Sequence, residues 1–173
     1  LRKDKEEKLT GAQKGTLMHL IVQKLNEKME YTRTDIEKMI ADLQERNVIS
    51  EKEKESININ TILKYTKSEL WEDLKQAKEI HKERPFYINI PATDIFEDAA
   101  EDERILVQGI IDLYYIDKDD KLILVDYKTD YVPNGDVSIL EKKYEVQLAL
   151  YKKALEGALN KKVDKAMIWA LNK

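Results

Sequence analysis

The chain has no cysteine, which excludes disulfides and any cysteine-held metal or iron–sulfur cluster. It has no apolar run long enough to span a bilayer, so a membrane-spanning role is not expected. No G-x-x-x-x-G-K-[ST] loop occurs, so an ATP-driven motor is not encoded in these residues. Excess positive charge is also missing. With 34 acidic and 30 basic residues and a net charge of −4, the chain lacks the basic balance from which stand-alone nucleic-acid-binding modules draw their affinity. Histidine occurs only twice, at His19 and His81.

What is present suits a compact domain with a highly charged surface. The 173 residues are 42% hydrophobic and 37% charged, near the usual size of one domain and with enough apolar material for a core. The chain starts at Leu1 without an initiator methionine and shows no signal peptide, so the expectation is a single domain, 1–173, excised from a larger cytoplasmic protein.

Periodicity sets out the elements. Leu17, Met18, Ile21, Val22 and Leu25 recur at helical spacing within residues 15–29. Thr34-Asp35-Ile36-Glu37 reads as a capping box opening a second helix to about residue 46. Residues 51–56 read as a charge-rich linker, followed by helices at about 59–66 and 68–82. Residues 86–90 form a first strand stopped by Pro91, and the acidic stretch 97–103 is a loop. Two β-patterned segments, 105–116 and 121–129, make a hairpin. Pro133-Asn134-Gly135 turns the chain into a long helix over 137–159, and a last strand covers about 165–171. No repeat is apparent. The expected architecture is α/β: a mixed central sheet flanked by helices over 83–173, with a helical insertion at 30–82 near the N-terminus.

The hairpin carries the chemistry. Gly109-Ile110-Ile111-Asp112 lies on its first strand and Asp126-Tyr127-Lys128 on its second, where an ordinary core would place apolar residues. Side chains two apart on a strand share a face, so Asp126 and Lys128 point the same way as Leu122 and Leu124. A three-residue loop at Lys118-Asp119-Asp120 places Asp112 across from Asp126, whereas a four-residue loop separates them. Directly opposed like charges destabilise a strand pair by up to about 1 kcal/mol, and a bound divalent cation reverses that sign. The alternative is that Asp112 is a solvated residue on an exposed hairpin face.

Two helical residues bear on the choice. His19 falls off the centre of the first helix's apolar stripe, and imidazole serves either as a structural group or as a metal ligand. His81 follows a charged run and reads as surface. Leu140, Tyr144, Leu148, Tyr151 and Leu155 line one helix face, with Gln147 in the same arc. A buried amide without a partner costs roughly 1–3 kcal/mol, so Gln147 must face something polar, either nearby backbone or a site. The Lys142-Lys143 and Lys152-Lys153 pairs read as solvated helix faces or as contacts to a phosphate backbone.

Gly15-xxx-His19, Gly109-Ile110-Ile111-Asp112, Asp126-Tyr127-Lys128 and Gln147-xxx-Tyr151, in that order, resemble the RecB-type branch of the PD-(D/E)XK nucleases, closest to the C-terminal nuclease domains of AddA-type helicase-nucleases. Glu83-Arg84-Pro85-Phe86 strengthens the likeness, which covers about residues 10–171. Ile111 stands where the superfamily's name expects proline, as is ordinary in this branch. The resemblance implies a restriction-endonuclease-like fold and a DNA-hydrolysing activity, serving double-strand-break repair and recombination as part of an ATP-dependent helicase-nuclease. It implies metal binding by the side chains of His19, Asp112 and Asp126 and by the backbone carbonyl of Tyr127. Lys128 corresponds to the catalytic lysine, and Gln147 and Tyr151 to a motif beside the active site and DNA.

An oxygen-rich ligand set suits Mg²⁺ or Mn²⁺, and a histidine in it favours testing Mn²⁺. Implied partners are DNA, the helicase portion of the parent chain and an AddB-like second subunit, and no membrane. A helicase-fed nuclease needs little affinity of its own, because tethering raises local substrate concentration. The alternative function is a catalytically silent DNA-guiding or subunit-docking domain with the same fold.

Overall fold

A computed structural model describes residues 8–172, which divide into two compact units. The first unit takes the residues up to Lys75 together with Lys128–Tyr131 and the segment from Ala170 on; the second takes Gln76–Tyr127 and Val132–Trp169.

The first unit is helical. Helix α1 (Gly11–Lys24) is opened by Thr10, whose hydroxyl accepts from the Gln13 amide while the Gln13 side chain accepts from the Thr10 amide. Its buried stripe is Leu17, Met18, Ile21 and Val22, as the spacing predicts, but the helix runs from Gly11 to Lys24 rather than over 15–29, with Leu25 as its extended C-cap. Helix α2 (Arg33–Glu45) begins two residues earlier than Thr34 would place it, because the reciprocal cap is Thr32 with Asp35. Both threonines stand before an acid three residues on. Thr32 is the threonine that makes the reciprocal bonds, and the helix it opens buries Ile36, Ile40 and Leu43.

The segment expected as a linker is a short helix, α3 (Glu51–Ser56), nucleated by a Ser50–Glu53 capping box. Its run of charged residues obscures the S-x-x-E signal. Helices α4 (Ile59–Tyr65) and α5 (Glu69–Gln76) follow. Trp71 is fully buried at their junction, with the rings of Tyr65 and Tyr31 edge-on at 5.5 and 6.0 Å.

The second unit is built on a four-stranded sheet in the order β1-β2-β3-β4. Strand β1 (Glu79–Pro91) pairs antiparallel with β2 (Arg104–Ile116), which pairs antiparallel with β3 (Leu122–Lys128). Strand β4 (Lys165–Ala170) runs parallel to β3. The Asp164 amide donates to the Leu122 carbonyl and the Leu171 amide to the Lys128 carbonyl, so the two chains advance together.

Strand β1 starts well before the expected residue 86. The segment Lys78-Glu79-Ile80-His81-Lys82 reads as helical from its sequence, and cross-strand pairing with residues 113–116 overrides that preference. The expected long helix is two, α6 (Ser138–Lys143) and α7 (Glu145–Leu159), broken at Tyr144. Helix α7 covers the sheet through Ala154 and Leu155 against Phe86, Ile111, Tyr114, Leu122 and Leu124.

The hairpin has the register of a three-residue loop. Ile116 pairs with Leu122 and Leu113 with Val125, and the Asp117 amide donates to the Lys121 carbonyl across Lys118-Asp119-Asp120. Asp120 closes the turn in the left-handed region at φ 65°, as three-residue hairpin loops require. The Asp117 carboxylate accepts from the Asp119 and Lys121 amides and braces the loop from inside.

Candidate active site

One level of the sheet departs from the regular ladder. The β1–β2 register passes from Lys82–Leu113 to Arg84–Ile111, stepping over Glu83 and Asp112, and the β2–β3 ladder begins only at Leu113–Val125. Glu83 sits there with φ 50°, a left-handed conformation that costs a residue other than glycine about 1–2 kcal/mol.

Face alternation slips by one at the same level. Val107 and Ile111 face α7 from the first part of β2, but Tyr114 and Ile116 do so from the last part. Across from them, Phe86 and Ile88 face α7 after Glu83, whereas before it His81 stacks on Tyr114, ring to ring at 4.6 Å. The irregularity lets two acids turn toward one another. Glu83 and Asp112, both half-buried, each offer a carboxylate oxygen within 4.8 Å of the other.

The end of β3 adds to this level. The Tyr127 amide donates to the Asp112 carboxylate at 2.8 Å, which ties the two strands by a side chain where backbone pairing has stopped. Asp126, the next register position across from Asp112, is only 2% exposed. Leu122 and Leu124 pack into the core beneath α7, so Asp126 follows them onto the face that α7 covers. Lys128, last in β3 and two residues beyond Asp126, is half-buried.

Helix α7 contributes Gln147 and Tyr151. The Gln147 side-chain amide donates to the Tyr151 hydroxyl at 3.0 Å, which gives the one polar residue in the apolar stripe its partner. Burial holds the Tyr151 phenol above its ordinary pKa, and the negative charge of Asp126, with a smaller contribution from Asp112, pushes it further up; the Gln147 bond works against both. The tyrosine therefore lies within electrostatic reach of both carboxylates.

Its ring is positioned by Phe86, edge-on at 5.1 Å, and by Gly109. A Cβ at residue 109 would stand 2.7 Å from a Phe86 ring carbon and 3.5 Å from Tyr151. That contact gives the glycine of Gly109-Ile110-Ile111-Asp112 its physical reason.

Thus Asp112, Asp126, Tyr127, Gln147 and Tyr151 come together in the second unit. His19 is half-buried on α1 in the first unit, and Lys128 falls at the start of the strand-end segment assigned to that unit. Glu83 is a site residue that sequence reasoning misses. Its only signal is an acid immediately before Arg84-Pro85-Phe86, and the register alone reveals that it stands across from Asp112. The donor set of closely spaced carboxylates fits a hard divalent cation.

A fold of this kind, with paired carboxylates on a central hairpin and a Gln-xxx-Tyr helix across them, defines a class. The model of the PD-(D/E)XK nuclease superfamily matches residues 1–173, and the chain belongs to that superfamily. Its mixed sheet with flanking helices is the restriction-endonuclease-like fold. More particularly, the chain is 38% identical over 169 residues to the A-subunit of the ATP-dependent helicase/nuclease of Thermoanaerobacter sp. (strain X514), covering 96% of this chain and 14% of that protein. The protein of the same name from Clostridium novyi (strain NT) is 35% identical over 170 residues, again 96% of the chain and 14% of the relative. That of Acetivibrio thermocellus is 35% identical over 165 residues, 93% and 13%. The chain thus spans about one-seventh of the length of these relatives. No helix among the described residues is long and apolar enough to cross a membrane.

Proposed function

We propose that the chain is a divalent-cation-dependent deoxyribonuclease domain that hydrolyses phosphodiester bonds in DNA delivered by the helicase portion of a longer cytoplasmic protein, in double-strand-break repair and recombination. The supporting observation is the pair of half-buried carboxylates, Glu83 and Asp112, within 4.8 Å of one another. At an effective dielectric of about 20, two such charges repel by roughly 3 kcal/mol before solvent screening. A divalent cation held by these residues would offset that cost.

Asp126 and the Tyr127 carbonyl extend the ligand set, with His19 as a proposed imidazole ligand and Mg²⁺ or Mn²⁺ as the ion. When bound, the ion supplies Lewis-acid polarisation of the phosphate and lowers the pKa of a coordinated water. The protein's own groups do the rest. The Lys128 ammonium orients the attacking water and offsets charge on the non-bridging oxygens. The Tyr151 phenol remains protonated at neutral pH, and because its oxygen accepts from Gln147, its proton is available to a phosphate oxygen.

The domain division follows the same reading, except that the helical insertion ends with α5 at Gln76 and the catalytic sheet begins with β1 at Glu79 rather than at residue 83. An AddB-like second subunit completes the assembly. The deciding experiment compares wild type with Asp126→Ala and Lys128→Ala on single- and double-stranded DNA in Mg²⁺ and in Mn²⁺. Each variant is expected to lose at least about 100-fold in rate. Unchanged activity in Asp126→Ala would assign the domain to silent DNA guiding or subunit docking instead.

A further inference from the structure

The first unit contains a cleft of about 280 Å³, whose polar lining is Lys14 on α1, Ser56 and Asn58 at the α3–α4 junction, Thr61 on α4, and Thr129 and Asn172 from the strand-end segments. Acids make up 34 of the chain's 173 residues, yet no carboxylate among the described residues lines this cleft. Lys14 is exposed and makes no ion pair among the described residues.

Thr129 enters the wall by close approach. A Cβ on Gly15 would stand 2.9 Å from the Thr129 hydroxyl, so the bare glycine of Gly15-xxx-His19 lets the residue after Lys128 reach α1. The Asn172 amide donates to the Thr129 carbonyl at 2.5 Å and fixes that segment from the other side. The Ser56 hydroxyl is given to the Glu53 carbonyl, but the Thr61 and Thr129 hydroxyls, the Asn58 amide and the Lys14 ammonium, without a competing acid among the described lining residues, form a donor set for an anionic oxygen.

We propose that this cleft is a phosphate subsite for the nucleic-acid strand, holding a backbone phosphate that flanks the scissile one. Lys14 supplies the charge, and Thr129 and Thr61 donate hydrogen bonds. The inference rests on the nuclease reading for the identity of the strand. It adds a contact one residue beyond Lys128 that holds the strand equally before and during cleavage. A point charge of this kind positions the backbone and reads no sequence.

The test uses the full protein and single-stranded oligonucleotides in which one phosphate at a time is replaced by a neutral methylphosphonate. In wild type, one linkage beside the cleaved bond should raise KM roughly fivefold. In Lys14→Ala, KM on the unmodified strand should rise by a similar factor with kcat changed less than about twofold, and the neutral linkage should bring no further loss. Lys14→Arg should restore most of the affinity. Binding measured by anisotropy in EDTA gives a readout without turnover, in which Lys14→Ala lowers the salt slope by about 0.7, the value for one single-strand phosphate contact.

If no linkage shows a penalty that disappears in Lys14→Ala, or if the salt slope is unaltered, the subsite is refuted even though DNA is cleaved. If wild type cleaves no nucleic acid, the nuclease reading fails, and the EDTA binding slope still decides whether the cleft holds a phosphate.

Discussion

At the scale of single residues, small geometric needs account for positions that carry no charge. Gly109 is the clearest, because a methyl group there collides with Phe86, whose ring packs edge-on against Tyr151. Gly109→Ala should destabilise the protein by about 1–3 kcal/mol, read in urea as a lower midpoint at unchanged m-value, and should reduce cleavage by moving Tyr151. Tyr151 itself should ionise above the ordinary tyrosine value, since burial and the Asp126 charge oppose the phenolate. Titration of phenolate absorbance in wild type and Tyr151→Phe should differ by a step above pH 10. The sign follows from the raised pKa: the neutral phenol is favoured in the folded state, so the associated stability is present below the ordinary value and lost as pH rises through the shifted one.

At the scale of elements, local signals are readable wherever one rule governs, and mislead wherever two compete. The α1 stripe and the hairpin loop follow single rules, helical spacing and turn length, and both match the structure. The second helix offers two nearby threonines as caps, each three residues before an acid, and the structure uses Thr32 with Asp35. Thr32→Ala should therefore cost about 1 kcal/mol, while Thr34→Ala should leave thermal stability within about half a kcal/mol.

The acid partner in that box adds a pH dependence. Hydrogen bonds from the Thr32 side chain and backbone hold the Asp35 carboxyl below 3.8, so its contribution is present above that value and lost as pH falls through the depressed one. Asp35→Asn should flatten the melting-temperature profile on the acid side. Residues 79–82 resist sequence reading because their charges mask a strand that only long-range pairing with residues 113–116 creates. Glu83 escapes notice for the same reason, since its partner lies on another strand.

At the scale of the whole molecule, the net charge of −4 sets a limit on what the domain does alone. With 34 acids against 30 bases the chain offers a polyanion no overall attraction, and one lysine in the cleft at Lys14 does not reverse that balance. Cleavage by the isolated chain should therefore require high enzyme concentration and fall steeply between low and physiological salt. Fusion to a DNA-translocating partner should restore the rate by raising local strand concentration. A chain that cut dilute DNA rapidly at physiological salt without such a partner would contradict this view. The four motifs are legible because each is local. The convergence of the motifs carried by the second unit, at Asp112, Asp126, Gln147 and Tyr151, is only partly legible, because face alternation slips at Glu83 and Asp112, and period-two reasoning carries no information across such a slip.

The bond from the Tyr127 amide to the Asp112 carboxylate makes one backbone proton a spectator of the site. Because that amide is held by a side chain where the β2–β3 ladder has ended, its hydrogen-exchange rate and NMR shift should follow the charge and occupancy of Asp112. Titrating Mg²⁺ or Mn²⁺ while observing deuterium uptake at Tyr127 would report ion binding before any DNA is added, and Asp112→Asn should change the resonance in the absence of metal. The same proton that stitches two strands together thus offers a gauge of whether the site is loaded.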